Sequence, residues 1–222
     1  MNNVEYIKEQ GLIVIFRGVD IALVPDLVRA IYAGGVRIVE TTFDPSDPDT
    51  AEKTAEIIQT IYKTMGDQML VGAGTVVDET YAVAAKEAGA KFLLSPDTNP
   101  DIIRLTKKLG LISIPGALTP TEAMTAYRAG ADIVKLFPIT KDDLGYLVNI
   151  TRPLSHIPFL CTGGVNPDTV GSFFTAGACA VGTGISILKP DLIAAKNYEE
   201  ITRLAAIHVE KVQAAKKVCR NR

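Results

Sequence analysis

Residues 132–138 read Asp132-Ile133-Val134-Lys135-Leu136-Phe137-Pro138 and place a lysine within an apolar run. Its apolar, β-prone residues end at a proline, which is typical of a buried strand in a parallel sheet. Lys135 lies inside this run. Because burial disfavours the ammonium form, it lowers the pKa of the lysine and leaves an amine that can condense with a ketone to a Schiff base near neutral pH. An ion-paired lysine whose charge reaches solvent at the strand end is the alternative interpretation.

Outward from this strand, the chain repeats one unit: a short apolar run, a turn with glycine or polar residues, and an amphipathic helix. Eight apolar runs are predicted to be strands, at 12–16, 36–41, 69–73, 91–95, 111–115, 132–137, 158–162 and 178–182. Eight such units in a chain of this length predict a single (β/α)8 TIM barrel that spans residues 1–222, with a short helix in residues 1–10. A doubly wound open sheet is the competing fold, but residues 17–19 lack the glycine fingerprint of its first turn.

Helix boundaries are indicated by capping residues and glycines. Asp78, Asn99, Thr119 and Asn166 are predicted N-caps, and proline follows the last three of them. Glu122 adds a capping box to Thr119. Glycine is expected to take the left-handed position at several helix ends, in the pairs 33–34, 88–89, 109–110, 129–130 and 176–177.

Composition restricts the classes of function. The chain has 222 residues, a hydrophobic fraction of 47% and a net charge of −2 without long runs of one sign, so nucleic-acid binding is not favoured. No apolar run approaches the ~20 residues of a membrane span and no signal peptide is recognisable, so we expect a cytoplasmic protein without a membrane partner. Three cysteines and two histidines are scattered, which indicates reduced core residues rather than a disulfide framework or a metal site.

Polar residues recur where the predicted strands end, and this edge carries the chemistry in TIM barrels. They include one nucleophile, one carboxylate, one arginine and several hydroxyls, at Arg17, Glu40, Thr75, Ser95, Lys135 and Thr162. Arg17 and Glu40 could form a structural ion pair, and Thr75 could cap the next helix. A core would not select both Glu40 and Lys135, so the set predicts a catalytic site.

Two glycine turns follow the seventh and eighth predicted strands, at Gly163-Gly164 and Gly182-Thr183-Gly184. Such turns present free backbone N–H groups to an anion, and many TIM barrels hold a phosphate at this place. The sequence therefore predicts a substrate with a ketone near Lys135 and a phosphate near these turns.

Seven ordered motifs resemble those of 2-keto-3-deoxy-6-phosphogluconate aldolases, also called 4-hydroxy-2-oxoglutarate aldolases, of the class I, metal-independent type. They cover nearly the whole chain and lie at 33–42 (AGGVRIVETT), 71–76 (VGAGTV), 95–96 (SP), 114–122 (IPG and TPTE), 134–138 (VKLFP), 162–165 (TGGV) and 180–184 (AVGTG). The resemblance implies a lyase without a cofactor that cleaves 2-keto-3-deoxy-6-phosphogluconate to pyruvate and glyceraldehyde 3-phosphate. It also implies a homotrimer.

The resemblance assigns roles to individual residues. Lys135 would form the Schiff base and Glu40 would be the general acid and base. The other implied contacts are to the substrate carboxylate (Arg17, Thr75), the pocket (Pro96, Phe137, Thr162) and the phosphate (Gly163, Gly164, Gly182, Gly184, Ser186). By the same resemblance, 4-hydroxy-2-oxoglutarate would be an additional substrate, and a 2-keto-3-deoxy-6-phosphogalactonate aldolase is the alternative. A sugar-phosphate epimerase and a non-catalytic sugar-phosphate-binding barrel are further alternatives.

The sequence departs from the family pattern at three places. Asp44 occupies a position where some members carry arginine, which leaves Arg17 alone for the carboxylate or changes the substrate preference. Ile185 stands between the last glycine turn and Ser186, so the phosphate role of Ser186 depends on a shift of one residue. Asp97 places a negative charge near the mouth of the expected site, where it would disfavour a dianionic substrate.

Overall fold

The computed structural model describes residues 2–220, and these form one parallel β-barrel surrounded by helices. The strands are β1 (Leu12–Phe16), β2 (Ile38–Thr42), β3 (Leu70–Gly74), β4 (Phe92–Leu94), β5 (Ile112–Ile114, continued after Pro115 by Gly116–Ala117), β6 (Val134–Leu136), β7 (Phe159–Thr162) and β8 (Ala180–Thr183). Neighbours pair in the order β5-β4-β3-β2-β1-β8-β7-β6, and β6 pairs with the continuation of β5. The backbone amides of Asp132 and Lys135 donate to the carbonyls of Ser113 and Pro115, which joins β6 to β5 around the ring. The TIM-barrel prediction is confirmed.

Within residues 2–220, ten α-helices lie outside the strands or close the ends of the barrel. They are α1 (Asn3–Gln10), α2 (Val24–Ala33), α3 (Thr50–Met65), α4 (Glu79–Glu87), α5 (Pro100–Lys108), α6 (Pro120–Ala129), α7 (Leu144–Thr151), α8 (Val170–Thr175), α9 (Pro190–Ala194) and α10 (Tyr198–Arg220). Short 3₁₀ turns occupy Ile21–Leu23, Gly66–Gln68 and Lys141–Asp143. The long C-terminal helix α10 packs against both α2 and α8. No helix within residues 2–220 has the length and apolar character needed to span a bilayer.

Two apolar layers separate the inside of the barrel from its outside. Alternate strand residues point to opposite faces, so Val14, Val39 and Val134 pack against the surrounding helices while their neighbours fill the lumen. The luminal layer is a ring of large residues near the N-terminal ends of the strands, including Ile13, Ile38, Leu70, Phe92, Ile112, Ile133 and Leu160. Ile7 of α1 packs against this layer. The same alternation turns Glu40 and Lys135 into the lumen above it.

Most predicted helix boundaries are confirmed. Asp78 and Asn99 accept hydrogen bonds from the first turns of α4 and α5, and Thr119 forms the predicted capping box with Glu122. The prediction at Asn166 is wrong, because its side chain accepts from the amides of Asp168 and Thr169 in a separate turn, and α8 begins only at Val170.

The glycine prediction is also wrong at one helix end. Gly34 has φ −75°, and the left-handed residue after α2 is Gly35, with φ 94°. Gly34 is explained by packing instead, because a Cβ at this position would lie 2.5 Å from the Cβ of Ala205 on α10. The other four pairs place their glycine at positive φ, as predicted.

Candidate active site

Glu40 occupies the lumen on β2 and is the most buried charged residue of the candidate site, with 2% of its surface exposed. The hydroxyl of Thr42 donates to Glu40 Oε1 at 2.8 Å. On β3, Gly74 leaves room for the carboxyl group, because a Cβ there would lie only 1.5 Å from Oε1. Burial raises the pKa of Glu40, and the opposing effects of Lys135, the Thr42 hydrogen bond and Arg17 are smaller. A carboxyl group with a raised pKa is protonated to a greater extent at a given pH than a glutamate in water, so it is better suited to donate a proton as well as to accept one.

Lys135 enters the same lumen from β6 and is partly buried. Its Nζ lies 4.5 Å from the centroid of the Phe137 ring. Burial lowers the pKa of Lys135; Glu40 acts in the opposite direction, and Arg17 lowers the pKa further. A larger fraction of the amine is therefore neutral and nucleophilic than for a lysine in water.

A cavity of about 460 Å³ opens above these two residues, at the C-terminal ends of the strands. It brings together ten of the residues that the sequence singled out: Arg17, Thr75, Pro96, Lys135, Phe137, Thr162, Gly163, Gly164, Gly182 and Gly184. The lining also includes apolar residues, namely Val19, Val165, Ile185, Leu188, Pro190 and Ile193. Sequence reasoning did not identify most of these wall residues. Ile15 also lines the cavity. It lies two residues before Arg17, so strand alternation could have identified it, whereas Pro190 and Ile193 reach the cavity from α9.

A larger groove of about 750 Å³ lies elsewhere, between α7, α8 and the end of α10. Small and apolar side chains dominate its lining, among them Leu144, Val148, Ala176, Ala215 and Val218. Among its described lining residues there is neither a lysine nor a glutamate, so the smaller cavity is the candidate for chemistry.

Thr75 adopts a backbone conformation that is unusual for a residue with a branched side chain. Its φ is 57°, in the left-handed region that favours glycine. Such a residue costs on the order of 1–3 kcal/mol and persists where the surroundings impose it. The Gly74 carbonyl accepts from the Phe43 amide and the Val76 amide donates to the Leu94 carbonyl, so the chain is fixed on both sides of a residue that lines the cavity.

Thr162 ends β7 with its hydroxyl buried. The Oγ1 atom has no hydrogen-bond partner among residues 2–220, and the residue is 5% exposed. A buried hydroxyl without a partner costs about 1–3 kcal/mol. Since Thr162 lines the cavity, a substrate oxygen at this point would supply the missing partner.

The two glycine turns face the same part of the cavity. Within the described residues, the amides of Gly164, Gly184, Ile185 and Ser186 have no hydrogen-bond acceptor. Gly163 must be glycine, because its φ is 135° and a Cβ would lie 2.3 Å from the carbonyl oxygen of Ile139. Free amides on glycine-rich turns provide an anion site without a cationic side chain.

Ser186 does not line the cavity. Its hydroxyl lies 2.6 Å from Thr183 Oγ1 and 2.9 Å from His208 Nε2, beneath the turn. Ile185 lines the cavity wall instead, with its side chain 75% exposed.

The two acidic departures lie at the periphery of the site. Asp44 accepts hydrogen bonds from the amide and hydroxyl of Ser46, which hold the pKa of Asp44 below its usual range. Its carboxylate is therefore engaged in its own turn. Asp97 has an exposed side chain, and its carbonyl oxygen accepts from Ser95 Oγ and the Gly116 amide.

Two cysteines are not suited to catalysis. Burial raises the pKa of the Cys161 thiol, and it raises the pKa of Cys179 to about 12. Neither thiol ionises near neutral pH, so neither is a nucleophile. Across the described part of the chain, histidine, cysteine, aspartate and glutamate do not form a group of three that could hold a metal ion.

Known proteins resemble this chain over nearly its whole length. The family described as KDPG and KHG aldolase matches residues 4–204. The 2-dehydro-3-deoxy-6-phosphogalactonate aldolase of Escherichia coli (strain K12) is 30% identical over 206 residues, which is 92% of this chain and 95% of the relative. The 2-dehydro-3-deoxy-phosphogluconate aldolase of Treponema pallidum (strain Nichols) is 30% identical over 180 residues, 81% of this chain and 82% of the relative.

A solved structure agrees with these sequence relatives. The structure described as native KDPGal superimposes with a TM-score of 0.82 and 28% identity, and covers 93% of this chain and 96% of its own. Strand order, helix placement and sequence thus lead to one conclusion. The chain belongs to the KDPG and KHG aldolase family.

Proposed function

We propose that the protein cleaves 2-keto-3-deoxy-6-phosphogluconate to pyruvate and glyceraldehyde 3-phosphate through a Schiff base on Lys135. One observation carries this proposal: Lys135 and Glu40 share a lumen in which burial lowers the pKa of the amine and raises that of the carboxyl group. Their pKa values move toward each other, as an amine nucleophile and a proton shuttle require.

The reaction follows from the chemistry of these two groups. The neutral Lys135 amine adds to the C2 ketone, and Glu40 protonates the carbinolamine oxygen so that water leaves and an iminium forms. The Glu40 carboxylate then takes the proton of the 4-hydroxyl, the C3–C4 bond breaks, and its electron pair moves into the iminium to give an enamine and the aldehyde. Protonation of the enamine at C3 and hydrolysis release pyruvate and regenerate Lys135.

The remaining residues hold the substrate. Arg17 and Thr75 bind the carboxylate next to the ketone, and the unpaired hydroxyl of Thr162 contacts a substrate hydroxyl. Pro96 and Phe137 shape the pocket. The amides of the two glycine turns bind the phosphate. Because these amides are free, they favour a phosphorylated substrate over one without a phosphate.

Two other substrates differ from this one in stereochemistry or length. Relatives at 30% identity include both phosphogluconate-type and phosphogalactonate-type aldolases, so 2-keto-3-deoxy-6-phosphogalactonate is the second candidate. 4-Hydroxy-2-oxoglutarate, which would yield pyruvate and glyoxylate, is a further candidate but has no phosphate for the glycine turns.

The proposal is tested by comparing kcat/KM for the three substrates, with pyruvate release followed by a coupled dehydrogenase. We expect the highest value for phosphogluconate-type substrate and the lowest for 4-hydroxy-2-oxoglutarate. A higher value for the galactonate epimer would move the assignment to that activity. If none of the three substrates yields pyruvate, a sugar-phosphate epimerase or a non-catalytic binding barrel remains as the interpretation.

The assembly belongs to the same proposal. The family resemblance leads us to propose a cytoplasmic homotrimer, and light scattering coupled to size exclusion measures this directly. A mass of three chains is expected, and a monomer at micromolar concentration would contradict it.

A further inference from the structure

A chain of buried hydrogen bonds runs beneath the turn that follows β8 and ends on α10. Thr183 Oγ1 lies 2.9 Å from the carbonyl oxygen of Val165 and 2.6 Å from Ser186 Oγ. Ser186 Oγ lies 2.9 Å from His208 Nε2, and His208 Nδ1 lies 2.7 Å from the carbonyl oxygen of Leu204. His208 is 1% exposed. This chain connects both glycine turns of the cavity to the C-terminal helix.

The direction of each hydrogen bond follows from the partners. A carbonyl oxygen only accepts, so the His208 Nδ1 atom carries a proton and donates it to Leu204. Burial lowers the pKa of His208, which favours the neutral ring with Nε2 as an acceptor. Ser186 therefore donates its single proton to Nε2. While it does so, this hydroxyl has no proton for a phosphate.

Thr183 couples the two turns. Its hydroxyl has one proton and two acceptors within reach, the Val165 carbonyl after β7 and Ser186 Oγ after β8. Because the Ser186 proton goes to His208, the Thr183 hydroxyl shares its own proton between both acceptors as a three-centre hydrogen bond, and so ties the position of one turn to that of the other. Thr183 is buried, and water does not compete for these contacts.

The turn held by this chain carries free amides. Ser186 lies in the middle of it, and the amides of Ile187 and Leu188 both donate to the Gly184 carbonyl. The amides of Gly184, Ile185 and Ser186 are left without acceptors in the part of the chain that the structure describes. Backbone donors bind an anion well only when they are held within about 0.5 Å of the right place. Fixing the Ser186 side chain fixes these donors.

We propose that His208 is a positioning residue for the phosphate end of the substrate, acting through Ser186 and Thr183 on the turn after β8. His208 lies on α10, outside the cavity wall, so it acts on the substrate only through this chain. The inference rests on the proposed function in one respect, namely that the glycine turns bind the phosphate.

The test compares His208→Leu, His208→Gln and Ser186→Ala in the full-length protein. His208→Leu removes the acceptor for Ser186, and we expect KM for the phosphorylated substrate to rise about fivefold, the effect of one hydrogen bond. Trapping of pyruvate by borohydride on Lys135 should stay unchanged, because pyruvate has no phosphate. His208→Gln keeps a buried acceptor and should restore most of KM. Ser186→Ala should raise KM as His208→Leu does, and the double variant no further.

A matched control separates positioning from stability. Val212→Ala removes buried volume from α10 next to Gly11, at the opposite end of the barrel from the cavity. It should lower Tm and leave KM unchanged. If His208→Leu and Ser186→Ala leave KM unchanged, or if His208→Leu reduces pyruvate trapping as much as it raises KM, the positioning role is wrong.

A second variant tests the phosphate site itself. Gly164 has φ 58°, so Gly164→Val strains the turn and should raise KM for the phosphorylated substrate strongly. If this variant leaves KM unchanged, the phosphate binds elsewhere and the proposed function needs revision. If Gly164→Val raises KM while the His208 and Ser186 variants do not, only the positioning role fails.

Discussion

The replacement Glu40→Gln tests the proton shuttle with the smallest change in shape. The lumen around this side chain is tight, because the position of a Cβ on Gly74 would fall 1.5 Å from Oε1 and the residue is 2% exposed. Only an isosteric side chain fits there. In the unmodified protein, the hydroxyl of Thr42 donates to Glu40 Oε1 at 2.8 Å. The glutamine oxygen can accept the same hydrogen bond, so the fold is expected to survive the replacement.

The magnitude follows from the loss of one proton-transfer group. A glutamine neither protonates the carbinolamine nor accepts the proton of the 4-hydroxyl, and general acid–base catalysis contributes typically 10²- to 10⁴-fold. We therefore expect kcat to fall by this factor, which corresponds to about 3–5.5 kcal/mol in the activation barrier. KM should change little, because the carboxylate and phosphate contacts lie elsewhere in the cavity.

The same variant changes the pH dependence in a predictable direction. Glu40 raises the pKa of Lys135 against the larger effect of burial. Without this negative charge the pKa of Lys135 falls further, and the neutral amine becomes available at lower pH. The rise of pyruvate trapping with pH should therefore shift to lower pH in Glu40→Gln.

The assay is steady-state cleavage of the phosphorylated substrate, with Thr42→Val as the control. Thr42→Val removes the hydrogen bond to Oε1 but keeps the carboxyl group, so its loss in kcat should be much smaller. If kcat of Glu40→Gln lies within about threefold of that of the unmodified protein, Glu40 contributes far less to kcat than a general base usually does, and its role as proton shuttle is refuted.

Three further predictions concern the same cavity. Gly74→Ala should lower kcat about 10²-fold in the same steady-state assay, since the added methyl group displaces the Glu40 carboxyl group. An unchanged kcat would mean that catalysis does not depend on the position of this carboxyl group. Thr162→Val should stabilise the unliganded protein by up to about 1 kcal/mol in urea unfolding, because it removes a buried hydroxyl without a partner. The same variant should lower kcat/KM about five- to tenfold, because the substrate loses a hydrogen bond. A loss of stability would show that the hydroxyl is already paired. Treatment with EDTA should leave kcat unchanged, because an iminium on Lys135 supplies the electron sink, and recovery of a lost activity by a divalent ion would contradict the Schiff-base mechanism.

The luminal half of the site could be predicted from sequence because it depends on local pattern. Strand alternation alone places Glu40 and Lys135 on the face opposite to Val39 and Val134, and a closed parallel barrel turns that face inward. The capping residues Asp78, Asn99 and Thr119 were predictable for the same reason, since each interaction spans only two or three residues.

The rest of the site depends on contacts between distant parts of the chain. Ser186 has a phosphate role by resemblance, but its hydroxyl bonds to His208, 22 residues further along the chain. Pro190 and Ile193 reach the cavity through the path of α9, which no periodicity indicates. Gly34 satisfies a local helix-end pattern, yet the approach of α10 explains it better. Tertiary packing decides these positions, and a single sequence does not reveal it.

Covalent trapping shows directly whether Lys135 is the nucleophile. Incubation with pyruvate and borohydride, followed by digestion and mass spectrometry, locates any lysine that forms a Schiff base. We expect one adduct, with the mass of a reduced pyruvyl group, on the peptide that contains Lys135, and none in Lys135→Met. An adduct on another lysine, or no adduct in an active enzyme, would contradict this assignment.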